Sequence, residues 1–341
     1  MTETLSNPLT AHPLFFELQA VEPMLLHRHN GSALRGMLYR AVVELATGEA
    51  PEGELAFRPD DPVLQRLLAT LDEAGPRGQD APRPYVIEPP VEDGTNPAGR
   101  LLRAGETFTF GLTLFGSAME AFTVIVMALK LAEERGLGRF LEAGARGGRG
   151  RFRLVRATAL NPLTRTTQEF LSPGERIVRP PTVVVQQSDI AAQVAIDLEG
   201  RPTRLRLHFH TPATLKTKGE LLRTPVFSVV IHRLIERLTE MTRHHGQPPL
   251  ACLPTDREGR NALLHRADAV ALVDNHSRWT ELSGHSERTR SATNLSGITG
   301  TADYAATDFS PFLEILRWGE IVHVGQNAVK GNGVLRIQPL S

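Results

Sequence analysis

The sequence predicts an α+β fold of two tandem ferredoxin-like (RRM-like) βαββαβ units. Strand-period and helix-period apolar segments follow one another in the order strand, helix, strand, and that order returns in the second part of the chain. A stretch holding Pro162, Pro173, Pro180 and Pro181 separates the two series. A chain of 341 residues, 41% hydrophobic, exceeds one average domain and can bury two cores. The divisions expected are 1–200, with an elaborated connection at 50–100 and a linker region at 158–200, and 201–341.

The elements are justified in order. Leu14 to Leu26 alternates as a strand, with Phe16, Leu18 and Ala20 opposing Glu17 and Gln19. A turn at His29-Asn30-Gly31 leads to Ser32, read as the N-cap of a helix whose stripe is Leu34, Leu38, Ala41 and Leu45, stopped by Gly48. Residues 50–100 are rich in Pro, Gly and acids, so they predict one helix, Pro62 to Leu71, and no core strand. Thr107 to Phe115 is a strand, and Ser117 with Glu120 forms a capping box for an apolar helix ending at Gly136. Arg149 to Arg156 closes the first unit as a strand.

Residues 158–200 read as extended connection and edge strands. The second unit is expected to hold a strand at Leu205 to Phe209 and a helix capped by Thr224 with the stripe Val226, Val230, Leu234, Leu238 and Met241. Strands at Ala267 to Val273 and Ile298 to Tyr304 come next, then a helix opened by Ser310-Pro311. Strands at Ile321 to Val324 and Val334 to Ile337 flank a final glycine-rich loop.

Lys+Arg and Asp+Glu are equal at 38 each, so overall charge argues neither for nor against a polyanionic partner. The single Cys252 excludes a disulfide framework and a cysteine-rich zinc site. Met1 to His12 is polar and carries Pro8, unlike a signal segment, and the most apolar run, Ala121 to Leu129, falls short of the roughly 20 residues that span a bilayer. The expectation is a soluble cytoplasmic protein with no membrane association.

Three clusters bear on chemistry. The last is the loop around Gly325, Gly331 and Gly333, where bare backbone can approach another chain and offer amide N–H groups to phosphate; a ligand-free hairpin is the other reading. Arg146, Arg149, Arg151, Arg153 and Arg156 lie within eleven residues with no acid among them, as a polyanion-binding strand would have them, unless Glu or Asp from elsewhere pairs with them. Lys216, Lys218, Arg288 and Arg290 are weaker patches of the same kind. His27 and His29 stand where the first strand gives way to the first helix, and a histidine there can exchange protons near neutral pH. His27 with His29, and His208 with His210, could each put two imidazoles on one strand face for a metal, but with no third ligand indicated no metal site is expected. His244 and His245 sit at a helix C-terminus, where positive charge is favourable.

The ordered set Arg83-Pro-Tyr-Val-Ile-Glu-Pro-Pro90, Gly105 to Gly116, Gly136-Leu-Gly138, Gly144-Ala-Arg-Gly-Gly-Arg-Gly-Arg-Phe-Arg-Leu154 and the glycine-rich tail resembles the CRISPR-associated endoribonuclease that cuts precursor crRNA, the sixth Cas family of the RAMP superfamily. That resemblance implies the tandem ferredoxin-like fold, metal-independent RNA cleavage by the substrate's 2′-hydroxyl, and no cofactor. It implies CRISPR repeat RNA and crRNA as partners, with other Cas effector subunits beside them. It points to His29, His27 and Tyr39 for catalysis, and to Arg35, Lys216, Arg288, Arg290 and Lys330 near the RNA. His323 either faces that cleft or supports the loop, and Gln326 stands where many relatives carry a basic residue. The alternative implied is a RAMP-type subunit that binds crRNA without cutting it.

Overall fold

The computed structural model describes residues 8–48, 64, 67, 82–90, 99–137, 139–140, 149–175, 177–286 and 291–340. Its first half contains β1 (Ala11–Ala20), β2 (Met24–Leu26), α1 (Gly31–Thr47), β3 (Tyr85–Glu88), β4 (Arg100–Leu102) and β5 (Thr107–Phe115). After these come α2 (Phe122–Arg135), β6 (Arg139–Phe140), β7 (Phe152–Leu160) and β8 (Thr167–Leu171). The main sheet has the order β3-β5-β1-β7-β8, and a small sheet β4-β2-β6 lies beside it. Antiparallel pairing of Phe16 with Phe110 and of Leu18 with both Phe108 and Leu154 turns these residues to one face, where Leu34, Leu38 and Ala41 of α1 and Ile125 and Leu129 of α2 cover them. The left-handed Gly48 ends α1, its N–H donating to the Glu44 carbonyl at 2.8 Å.

The second half contains α3 (Gln187–Glu199), β9 (Arg204–Ala213), β10 (Lys216–Thr217), β11 (Glu220–Leu221), α4 (Phe227–His245) and α5 (Arg257–Asp268). Then come β12 (Ala271–Thr280), β13 (Ser283–Ser286), β14 (Ser291–Asn294), β15 (Gly297–Ala305), α6 (Ser310–Val322) and β16 (Leu335–Leu340). The sheet order is β12-β15-β9-β16, with β10-β11 and β13-β14 as separate hairpins. Leu205, Leu207 and Phe209 point into a core completed by Val230 and Leu234 of α4 and Phe312, Leu316 and Trp318 of α6. Leu9, Ala11, Val86 and Phe115 from the first half pack into this same core, so the halves share an apolar boundary.

Several expectations are corrected. The 50–100 stretch does supply a strand of the main sheet, since β3 pairs with β5 from Tyr85↔Leu114 to Glu88↔Gly111. Of the helix expected at Pro62 to Leu71 only Leu64 and Leu67 are described, both helical; its other residues lie outside the described ones. Asn30, not Ser32, is the N-cap of α1. The Ser117/Glu120 box makes no cap; a 3-10 turn over Gly116–Ala121 precedes α2. Residues 158–200 hold β8 and the helix α3, whose Ile190 joins the second core. Ala267 belongs to α5, and the strand expected there begins at Ala271. Ile321 and Val322 end α6 instead of forming a strand. Among the described residues no helix is long and apolar enough to cross a membrane.

Candidate active site at the seam between the halves

The turn before α1 is tied by Asn30, which is wholly buried. Its Nδ2 donates to the His27 carbonyl at 2.7 Å, and its Oδ1 accepts from the His27 amide at 3.1 Å. With the side chain spent there, no side chain caps α1, and its first turn carries no acid. The first amides of the helix are left to other acceptors. Next to them, the Ser32 hydroxyl and the Arg35 Nε are buried without a hydrogen-bond partner among the described residues.

The glycine loop from the other half meets this helix end. Imidazole Nε2 of His29 donates to the Lys330 carbonyl at 2.8 Å, across a sequence separation of 301 residues. Because a carbonyl only accepts, this bond fixes the proton on Nε2 and leaves Nδ1 as the basic nitrogen of the neutral ring. A Cβ on Gly31 would collide with the Lys330 carbonyl, so glycine alone allows the approach. Gly331, at φ +83°, leans on Pro89, and Arg336 closes the seam with an ion pair to Glu88 at 2.7 Å. The tail motif and the Arg83–Pro90 motif therefore touch.

Much of the loop's backbone is already engaged within the protein. The amides of Val324, Gln326, Lys330, Gly331, Asn332 and Gly333 all donate to backbone carbonyls, two of them, Thr214 and Pro212, at the end of β9 and just beyond it. Asn332, wholly buried, donates to the Leu295 carbonyl at 2.9 Å, tying the loop to the residues that follow β14. The glycines serve close packing, and buried donors without a partner among the described residues stand beside the loop on α1, at Ser32 and Arg35.

His29 is half-buried, and loss of water pushes its pKa below the ordinary value; the Lys330 carbonyl and the Asn332 side chain partly offset this. His27 is exposed on the same turn. Tyr39, two turns into α1, lines an apolar pocket with Leu38, Val42, Tyr85 and Leu112. Lys330 and Arg35 are half-buried at the seam, while Gln326 is exposed. His323 is 2% exposed at the C-cap of α6, φ +64°, with its pKa held well down by burial and then by Arg237 and Arg336. It supports the loop from beneath. Lys216 and Lys218 lie on the β10–β11 hairpin, where the Lys216 carbonyl accepts from Arg233 Nε at 2.9 Å.

The arginine strand is mostly neutralised. Arg151 pairs with Glu22 at 3.2 Å and Glu134 at 3.6 Å, and Arg156 with Glu169 at 3.5 Å and Glu17 at 3.8 Å. Arg149 is exposed and also interacts, leaving exposed Arg153 with no ion pair among the described residues. Arg146, Arg288 and Arg290 lie outside the described residues.

Among the described residues no group of three or more His, Cys, Asp or Glu side chains is placed to hold a metal. His208 and His210 have ring centroids 3.7 Å apart. Burial, then His208 and Arg336, depress the His210 pKa to about 4. The unfolded chain therefore binds the proton more readily, and stability is expected to fall as pH drops from 6.5 to about 4. His29, His208 and His323 are depressed in the same direction. Urea unfolding midpoints measured across that window should show the fall, and His210→Gln should flatten it.

Comparison with known proteins gives this seam a context. Residues 9–183 match a family model described as an N-terminal domain, and residues 207–335 match that of the CRISPR-associated endoribonuclease Cas6. The likeness to the Cas6 family thus rests on the second half of the chain. No curated protein matches it. Among solved structures, a Cas6 product complex is 15% identical with TM-score 0.53, covering 96% of this chain and 99% of the other. Thermus thermophilus Cas6 is 13% identical with TM-score 0.52, over 97% and 99%. The Cas6-containing chain of a partial Cas6-RT-Cas1–Cas2 complex is 13% identical with TM-score 0.58, covering 97% of this chain and 46% of that one. At such identities these structures share the fold, two ferredoxin-like units in tandem.

Asn30, Gly31, Asn332 and Arg336 escaped the reading of the sequence as site residues. The signal available was local: a His-Asn-Gly turn, and an Asn set between two glycines.

Proposed function

We propose that this chain is a Cas6 family member, binds CRISPR repeat RNA along the seam and cleaves precursor crRNA without a metal, with His29 as the proton-transfer group. The observation that carries the reading is the His29 imidazole fixed by Lys330 beside the uncapped start of α1. In the reaction, Nδ1 of His29 takes the proton of the 2′-hydroxyl, the 2′-oxygen forms a bond to phosphorus, and the bond from phosphorus to the 5′-oxygen breaks. The departing 5′-oxygen takes a proton from a second donor, for which exposed His27 on the same turn is placed, or from water. Negative charge gathering on the phosphate meets the helix N-terminal amides, Arg35 and Ser32. The lowered pKa keeps His29 neutral near pH 7, the form a base requires. Lys330, Lys216, Lys218, Arg153 and Gln326 would contact RNA farther out, and other Cas subunits are further partners; a related chain is named as a product complex and another as part of a Cas6-RT-Cas1–Cas2 assembly.

Purified protein incubated in EDTA with the repeat RNA from its own locus is expected to cut it. The upstream product should end in a 2′,3′-cyclic phosphate and the downstream one begin with a 5′-hydroxyl. Activity that is lost in EDTA and restored by magnesium would overturn the metal-free mechanism, and tight binding with no cutting would leave a crRNA-holding subunit.

A further inference from the structure

The strand β12 forms one edge of the second sheet. It is ten residues long and carries no proline or lysine; against pairing it has only a register shift between Leu272 and Asp274 and two charges of opposite sign, Asp274 and Arg278. The other edges are better protected: β16 carries Pro339, β3 is four residues long and β8 five. Along β12, residues 271–276 and Arg278 are exposed, with Leu272 at 38% and Val273 at 44%. A bare, partly apolar edge of this length is a template for another strand.

The charges on β12 say which strand. Asp274 lies opposite Asp303 across the ladder, and Asp303 is already held by Arg206 at 2.7 and 2.8 Å. Like charges face each other there; among the described residues Asp274 pairs with His276 at 3.1 Å and feels Arg206 through space. Arg278, four residues on and on the same face, makes no ion pair among the described residues. When β12 is laid antiparallel against itself about a two-fold axis through His276, Asp274 faces the second copy's Arg278, Asn275 faces its Ser277, and the reciprocal pairs form. Even-numbered register sums are the ones antiparallel ladders permit, and this register alone among the neighbouring ones pairs both charges.

We infer that a second copy of this chain docks on the β12 edge, joining two four-stranded sheets into one across an isologous interface. The contact lies apart from the seam and does not depend on the proposed cleavage. Sedimentation equilibrium of the full chain over a concentration series should show mass rising toward twice 37.4 kDa. Asp274→Arg and Arg278→Asp, each alone, should hold the chain at monomer mass by placing like charges in register, and the double swap should restore the dimer. Both positions are exposed, and restoration by the double variant excludes misfolding as the cause. A wild type that stays monomeric throughout would overturn the inference. So would a dimer untouched by either single change, or one that the double swap fails to rescue.

Discussion

Replacing His29 by Ala is expected to slow single-turnover cleavage of repeat RNA by at least about a hundredfold, the lower end of what a positioned acid or base contributes. Affinity for the RNA should change only a few-fold, because phosphate contacts spread over many residues carry it. Two roles of His29 are separable here. One is chemical, through Nδ1; the other is mechanical, through the bond from Nε2 to the Lys330 carbonyl. His29→Gln keeps an amide donor near the position of Nε2 for that carbonyl and removes the base, so it should bind and unfold like wild type and still cut slowly. His27→Ala run in parallel tests the exposed neighbour, whereas Tyr39→Phe should leave cleavage near wild type because that ring sits in the apolar pocket. Wild-type rates in His29→Ala would move the catalytic centre elsewhere.

The largest effect on stability is expected at Arg317. Its guanidinium meets Asp197 of α3 through two bonds of 2.7 Å and Glu320 through one of 2.8 Å, and all three side chains are at most 10% exposed. Arg317→Met leaves two carboxylates buried without a cation, at a cost of about 3–5 kcal/mol. The thermal midpoint should drop by on the order of 10 °C. Most of the cost comes from the stranded carboxylates, so Arg317→Met combined with Asp197→Leu and Glu320→Leu should recover much of the loss. A midpoint unmoved in the single variant would mean that water reaches the cluster.

Elements with one buried and one exposed face were legible from the sequence. The stripes of α1 and α4 and the alternation of β1, β5 and β9 gave the two units and their order. Failures came where burial departs from that pattern. Tyr85–Glu88 sits between prolines, and its four residues form an edge strand, which tolerates proline at its ends. In α3 only Ile190 and Asp197 are fully buried, so the stripe is too thin to see. Most of β12 is exposed on both faces, and nothing in it alternates. Ile321, Val322 and Val324 look like a strand because the end of α6 is buried all round. Ser117 failed as a cap because Gly116, at φ +54°, is pressed on the His245 carbonyl and turns the chain into a 3-10 start.

The site was half legible. His29 and the glycine loop were both marked, but that one bonds the other is a tertiary fact no local pattern encodes. The arginine row was read as like charges needing an anion, either RNA or acids from elsewhere in the chain. Glu22, Glu134, Glu17 and Glu169, brought in from four other places in the chain, supply most of it.

The seam also sets an order in time. Everything that residues 325–333 touch, from His29 and Pro89 to Pro212 and Leu295, is synthesised before them. A nascent chain can complete its first core and most of its second while the ribosome is still adding α6. It can carry an exposed α1 start, yet it has no loop to seat His29. Until residues 325–333 are made, the bond from His29 to the Lys330 carbonyl cannot form, so the proposed site is assembled only when the loop packs onto the end of β9.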